Sequence, residues 1–157
     1  MAYMHSWSAR RAHPDYATAW PVLLDEARYI IDILGRIGVV IAGPDGHAPR
    51  ILDDTRGILL NGDARTHLAH EGFHLEPPAP GPGFTWAACK TARHPYDLAV
   101  TALLLRGMLL MPDAFLVHSD GDWEMEWAPA RHLVGELFGP APSTDPLSPE
   151  PLPHGED

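Results

Sequence analysis

The segment from Pro95 to Met111 constrains the fold more than any other part of the chain, because its pattern predicts a helix that is apolar nearly all round. Pro95 suits the first turn of a helix, and Pro112 ends it because proline cannot continue the hydrogen-bond ladder. Arg106 lies inside the segment and needs a carboxylate or carbonyl partner if it is buried. The apolar positions are Leu98, Val100, Leu103, Leu104, Leu105, Met108, Leu109 and Met111. Other elements must therefore cover this helix on most sides.

Two further helices and several short strands are predicted around that central helix. Apolar residues recur at helical spacing from Asp15 to Leu34, and a shorter amphipathic helix is predicted from Pro129 to Phe138. Short β-type segments parted by turn residues favour antiparallel pairing, and they lie at residues 39–41, 50–52, 57–60, 84–89 and 114–118. We therefore expect an α+β fold, in which three main helices pack on an antiparallel sheet of about five or six strands.

The chain is divided by composition into one folded region and two ends. Its length of 157 residues suits a single domain, which we place at residues 15–139. Residues 1–14 are predicted to be a flexible N-terminus. Residues 140–157 are rich in Pro, Ser, Asp and Glu, so we expect a Pro-rich disordered tail.

Charge and cysteine content exclude several classes of function. The net charge of -10 and the lack of a basic stripe argue against binding to nucleic acid. Cys89 is the single cysteine, so no internal disulfide can form and a reducing compartment is expected. The apolar stretch at 98–111 is too short to span a bilayer, and residues 1–13 lack the apolar core of a signal peptide. We expect a cytoplasmic protein without a membrane partner.

The sequence His70-Glu71-Gly72-Phe73-His74 matches H-E-x-x-H and leaves two structures open. If residues 64–76 form a helix, His70 and His74 share one face and can bind zinc, and Glu71 can act as the catalytic base. If residues 71–75 form a strand, Phe73 packs inward with Leu75 and the segment pairs with 84–89 without a metal. If the segment is a strand, we expect no cofactor. If it is a helix, we expect a zinc ion with Asp97 as its third ligand.

Lys90, Arg93, His94 and Asp97 lie together where a predicted strand leads into the central helix. The N-terminus of a helix attracts anions, so this junction is a candidate binding site for a small anionic ligand. The alternative is a polar connection in which Asp97 stabilises the start of the helix.

Four carboxylates alternate along the segment after the last predicted strand, at Asp120, Asp122, Glu124 and Glu126. On an extended backbone they would share a face and could hold Ca²⁺ or Mg²⁺. Alternatively, Asp120 and Gly121 turn the chain and the acids precede the positive end of the last helix. Trp123 beside them would belong to a partner surface if exposed and to the core if buried.

Two families resemble parts of the chain. Leu109-Leu110-Met111-Pro112 and the H-E-x-x-H residues resemble the small ImmA/IrrE-type zinc peptidases, although Thr101 stands where that family has its glutamate ligand. Residues 57–139 are more specifically similar to small actinobacterial and actinophage proteins of no known activity, through Lys90-Thr91-Ala92-Arg93, Pro95-Tyr96-Asp97 and Ser119-Asp120-Gly121-Asp122-Trp123. That second resemblance implies that His74 is incidental, because those proteins lack the second histidine.

These observations favour a non-enzymatic binding or regulatory module of bacterial or phage origin. Its surface would combine residues 89–97 with residues 119–127, and its partner would be an unknown protein or a small anionic ligand. The alternative is a small zinc-dependent hydrolase of the metallopeptidase type that uses the H-E-x-x-H residues.

Overall fold

A computed structural model of the chain describes residues 3–154, and within them the chain forms six strands and three α-helices. The strands are β1 (Met4–Ala9), β2 (Ile51–Asp53), β3 (Gly57–Leu60), β4 (Phe73–Leu75), β5 (Thr85–Lys90) and β6 (Phe115–Ser119). The helices are α1 (Pro14–Arg36), α2 (Asp97–Leu110) and α3 (Ala128–Phe138). A short 3₁₀ helix spans Ala64–Thr66.

The strands form two antiparallel sheets of three strands each, with orders β5-β1-β6 and β2-β3-β4. The α+β class, the antiparallel pairing and the three helices predicted from the sequence are confirmed, and the total of six strands agrees with the prediction of about five or six. The strand predicted at residues 39–41 is wrong, because only an isolated bridge between Ala42 and Asn61 forms beside it. The sequence predicted one sheet, and the structure divides the same number of strands between two. No helix in residues 3–154 is long and apolar enough to cross a membrane.

Helix α2 lies at the centre of the domain, as its all-round apolar surface requires. It packs against α1, α3 and β6, and most of its residues are buried. Arg106 finds the partner that its burial demands, because its guanidinium donates to both carboxylate oxygens of Glu26 on α1, at 2.6 and 2.8 Å. The central helix therefore joins the apolar faces of its neighbours into one core.

The prediction of a flexible N-terminus is wrong for residues 4–9, which form β1, the central strand of the first sheet. Trp7 and Ala9 are buried in the core, whereas Ser6 and Ser8 point to the opposite face of the sheet. The alternation of polar and apolar residues is therefore that of a strand. The serines on one face made the segment resemble an exposed terminus, so the strand was not predicted. Residues 1 and 2 of that predicted terminus lie outside the described residues.

The C-terminal segment, which we call the tail (residues 140–154), contains no helix or strand. The prediction of disorder is nevertheless wrong for its second half, because Ser148 donates a backbone hydrogen bond to Val117 on β6 at 2.7 Å. Leu147 packs against the core, and Leu152 is buried. The last part of the predicted tail, residues 155–157, lies outside the described residues.

Candidate binding surface

The H-E-x-x-H residues do not lie on a helix. Residues 73–75 form β4, which pairs with β3, and Phe73 and Leu75 are buried while His74 points outward. Alternation along the strand thus decides between the two structures left open by the sequence, and the helical arrangement for zinc is wrong. The predicted pairing of this strand with residues 84–89 is also wrong, because β4 pairs with β3 and β5 belongs to the other sheet. His67 adopts a left-handed backbone with φ of 63°, which ends the preceding 3₁₀ helix after one turn.

Each polar residue of that segment has its own contact. The ring nitrogen Nε2 of His74 lies 2.9 Å from the carbonyl oxygen of Arg56. The Glu71 carboxylate accepts a hydrogen bond from the backbone N–H of Lys90 at 2.8 Å. The His70 ring faces the ring of His94, with 6.0 Å between centroids. Within residues 3–154 no three side chains of the metal-binding types come together as a group.

The junction between β5 and α2 is a tight turn with an unusual backbone. Ala92 and Arg93 both adopt left-handed φ values, 54° and 58°, which side-chain-bearing residues rarely do. The backbone N–H of Thr91 donates to Tyr3 at 3.1 Å, and that of His94 donates to Thr91 at 3.0 Å. The turn therefore carries the Arg93 side chain back over the start of β1.

A chain of hydrogen bonds runs through the protein beneath this junction. Ser119 lies 2.8 Å from Nδ1 of His5, whose Nε2 lies 2.7 Å from Oδ1 of Asp97. The same Asp97 oxygen accepts from the hydroxyl of Thr91 at 2.6 Å. Because a carboxylate only accepts, Nε2 of His5 carries the proton and Nδ1 accepts from the serine hydroxyl. His5 is fully buried, so this chain ties β1, β6 and α2 together.

The order serine, histidine, aspartate is that of a nucleophilic triad, but the environment of Ser119 differs from that of a nucleophile. Its oxygen accepts from the indole N–H of Trp127 and from the backbone N–H of Gly121, both at 2.9 Å. A hydroxyl that donates once and accepts twice has no lone pair left for attack on a substrate. The arrangement therefore fixes the geometry of the surface above it.

Arg93 connects the two segments that the sequence analysis proposed as one surface. Its guanidinium donates to Glu126 at 2.6 and 3.1 Å and lies 4.1 Å from the centre of the Tyr3 ring. The hydrogen bond that Arg93 donates to the Glu126 carboxylate raises the pKa of Arg93 above its ordinary value. Residues 89–97 and residues 119–127 thus lie side by side.

The acidic segment forms a turn that is fixed at both ends, and we call residues 120–126 the acidic turn. The Asp122 carboxylate accepts from the backbone N–H groups of Met125 and Glu126 at 3.1 and 3.3 Å. Asp120 accepts from the backbone N–H of Met4 at 2.9 Å. Glu124 is largely exposed instead, and its carboxylate lies 3.9 Å from the guanidinium of Arg131. The four carboxylates therefore do not share one face, and the extended arrangement for Ca²⁺ or Mg²⁺ is wrong.

Trp123 belongs to the core and not to the surface, because its side chain is buried and Arg131 covers its ring at 4.9 Å. Its indole nitrogen is buried without a hydrogen-bond partner in residues 3–154, and so is Nδ1 of His94. Lys90 is partly exposed, and its ammonium makes no ion pair within that range. Of the predicted binding residues, Arg93, Asp97, Asp120 and Asp122 thus hold the surface together internally.

Two residues of this surface, Tyr3 and His5, were not predicted from the sequence. The alternation of His5, Trp7 and Ala9 with two serines is the signal that could have placed His5 on the inner face of a strand. Nothing local indicates its partners, because Asp97 is 92 positions away and Ser119 is 114 positions away.

Comparison with known proteins adds no family to these observations. The chain matches no protein-family model, no curated protein and no solved structure. The two resemblances noted in the sequence therefore stay predictions.

Proposed function

We propose that this protein is a non-enzymatic binding module, and that its acidic turn docks on a basic patch of a partner protein. The observation that supports this most directly is the convergence of residues 89–97 and 119–127 into one rigid surface. The surface is held from below by the buried chain from Ser119 through His5 to Asp97.

Rigidity supports a binding role because an ordered surface loses little conformational entropy when a partner binds. Both ends of the acidic turn are anchored, by Asp120 on Met4 and by Glu126 on Arg93. Trp127, which follows the turn, is buried and donates to Ser119. The turn is thus presented in one conformation.

The tip of the acidic turn carries the groups that a partner would contact. Met125 is 75% exposed, and the Glu124 side chain is 77% exposed. Methionine adapts to irregular apolar surfaces, and the exposed Glu124 carboxylate beside it, whose ion pair with Arg131 is long at 3.9 Å, attracts lysine and arginine. The net charge of -10 adds a long-range attraction for a basic protein.

A small anionic ligand at the junction has less support than a basic partner. Arg93 already pairs with Glu126, and the first residue of α2 is Asp97, whose own carboxylate lies at the positive end of the helix. An incoming anion would have to displace these carboxylates. Lys90 is the one predicted cation of the junction that has no ion pair in residues 3–154.

Two parts of the proposal rest on the sequence. A bacterial or phage origin rests on the resemblance of residues 57–139 to actinobacterial and actinophage proteins. A cytoplasmic location rests on Cys89 as the single cysteine.

The test measures binding of a fluorescent decalysine peptide to variants of the acidic turn at two salt concentrations. We expect Glu124→Lys to weaken binding by about tenfold at low salt, because it replaces an attraction of about 0.7 kcal/mol by a repulsion of similar size. Asp113→Lys is the matched control, since it makes the same charge change at an exposed site between α2 and β6. Equal weakening by both variants would show that only net charge matters and would refute the proposed surface.

Met125→Ala tests the proposed apolar contact between Met125 and the partner, once a partner protein has been identified. Its matched control is Ile37→Ala, which shortens another exposed aliphatic side chain, 68% exposed at the end of α1. We expect only the Met125 variant to weaken the complex.

A further inference from the structure

The β5-β1-β6 sheet has a second face, directed away from the core, which we call the outer face. Trp7 points into the core and pairs with Val117 and Ala87, so the residues on either side of these positions point outward. The outer face consists of Ser6, Ser8, Trp86, Ala88, Leu116 and His118. No α-helix covers it in residues 3–154, because α2 packs on the opposite side with Val117.

The tail lies across this outer face. At β6, the Ser148 amide donates to the Val117 carbonyl at 2.7 Å, and Nδ1 of His118 donates to the Ser148 carbonyl at 2.9 Å. At β5, the ring of His154 stacks on Trp86 with 4.1 Å between centroids. Because β1 lies between β6 and β5, residues 149–153 cross β1 on their way.

Burial along this path agrees with such a crossing. Ser6 and Ser8 are only 3% and 9% exposed, although they point away from the core. Leu152 is 7% exposed, yet it does not belong to the core cluster of the domain. It is therefore buried in a separate small cluster on the outer face.

The segment that occupies the outer face has a distinctive chemistry. Between Asp145 and His154 every second or third residue is a proline, at positions 146, 149, 151 and 153. Proline fixes φ and has no N–H, so such a segment is extended in advance and loses little entropy when it docks. Leu152 supplies the apolar anchor on the outer face, whereas Leu147 packs against the core.

The tail leaves one strong donor of the outer face unused. The indole nitrogen of Trp86 is buried and has no hydrogen-bond partner in residues 3–154. Surfaces that recognise proline-rich segments combine aromatic rings with donors to the carbonyl groups, which such segments leave free. A ligand with a carbonyl placed at this nitrogen would gain a bond that the tail does not make.

We propose that the outer face is a docking surface for a proline-rich segment of a partner protein, and that the tail competes for this surface from within the same chain. The site is separate from the acidic turn, and it does not depend on the function proposed for that turn. A tethered segment acts at an effective concentration on the order of millimolar. The tail therefore excludes weak ligands and yields to those that add the contact to Trp86.

The first experiment measures binding of a fluorescent peptide with the sequence of residues 145–154 to full-length variants. Leu152→Asp places a charge in the buried anchor and releases the tail, so we expect it to bind the peptide at least about tenfold more tightly than the wild type does. Ser143→Asp adds the same charge at an exposed position of the tail and should behave as the wild type. Adding Trp86→Ala to Leu152→Asp should remove peptide binding. Equal, weak binding by the wild type and a folded Leu152→Asp variant would overturn the proposal.

A second measurement needs no variant. Hydrogen exchange at the Ser148 amide of the wild type reports the opening of the tail, and exchange at the Trp7 amide reports a central strand. We expect the Ser148 amide to exchange at least about a hundredfold faster. Equal protection of the two amides would make the tail a permanent part of the core and would overturn its role as a competitor.

The oligomeric state of the wild-type protein in solution tests whether the outer face binds a partner protein or the tail of a second copy of this chain. Sedimentation over a hundredfold range of concentration should give a monomer throughout. A dimer that disappears in Leu152→Asp would mean that tails are exchanged between copies, which would replace the partner protein by this chain as the occupant.

Discussion

Replacing Asp97 tests whether the buried hydrogen-bond chain holds the surface. One oxygen of Asp97 accepts from Nε2 of His5 at 2.7 Å and from the hydroxyl of Thr91 at 2.6 Å, and both partners are fully buried. Asp97→Ala leaves two buried donors unpaired, each at a cost of about 1–3 kcal/mol. We therefore expect the free energy of unfolding to fall by about 2–6 kcal/mol.

Asp97→Asn separates hydrogen bonding from charge. The amide oxygen of asparagine can still accept both bonds, so only the strengthening by the negative charge is lost, about 1 kcal/mol per bond. We therefore expect this variant to lose about 1–2 kcal/mol. Asp113→Ala, at an exposed position without a side-chain hydrogen bond in residues 3–154, should stay within about 0.5 kcal/mol of the wild type.

The assay is urea unfolding at pH 7, followed by tryptophan fluorescence and by circular dichroism. If the two probes give coincident transitions, the two-state model applies and the free energy of unfolding can be calculated from them. Thermal unfolding provides a check, since 1 kcal/mol shifts the midpoint by about 2–4 °C in a chain of this size. An Asp97→Ala variant as stable as Asp113→Ala would refute the reasoning. An Asp97→Asn variant as unstable as Asp97→Ala would show that charge, and not hydrogen bonding, is the role of this side chain.

Three further predictions concern other parts of the domain. Arg106→Met should cost about 3 kcal/mol of stability in urea unfolding, because it leaves the largely buried Glu26 carboxylate unpaired. Adding Glu26→Met should restore much of the loss. Burial raises the pKa of the Cys89 thiol to about 12. A disulfide reagent at pH 8 should therefore label Cys89 only after the protein unfolds. The free energy of unfolding should also fall as pH rises above the ordinary thiol pKa of about 8.5, because the unfolded state then loses its proton first. Labelling as fast as that of a free thiol would contradict this. After zinc addition and desalting, elemental analysis should give the same zinc content for the wild type and His70→Ala, because His74 points away on a strand; stoichiometric zinc that only the wild type keeps would contradict it.

The three helices could be predicted closely because their signals are local. The predicted segments 15–34, 95–111 and 129–138 correspond to α1 at Pro14–Arg36, α2 at Asp97–Leu110 and α3 at Ala128–Phe138. Strands β3, β5 and β6 also lie within one residue of their predicted positions. In each of these segments, the periodicity of apolar residues matches the face that the fold buries.

Elements whose outer surface is covered by distant residues could not be predicted in this way. Strand β1 has serines on the face that the tail covers, so its pattern suggested an exposed and mobile terminus. Segment 70–74 has the residue types of a zinc-binding helix, but pairing of β4 with β3 decides its conformation. Contact with another strand overrides a local pattern of only five residues.

The candidate surface shows the same division between sequence and structure. The sequence alone determined that residues 89–97 and 119–127 concentrate charged side chains beside the ends of regular elements, since residue type and turn chemistry are local properties. Only the tertiary structure decided that Arg93 reaches Glu126, 33 positions away, and that His5 joins Asp97 to Ser119. These pairs form because the central position of β1 brings its first residues between β5 and β6, and sheet order depends on packing of the whole core and not on any local segment.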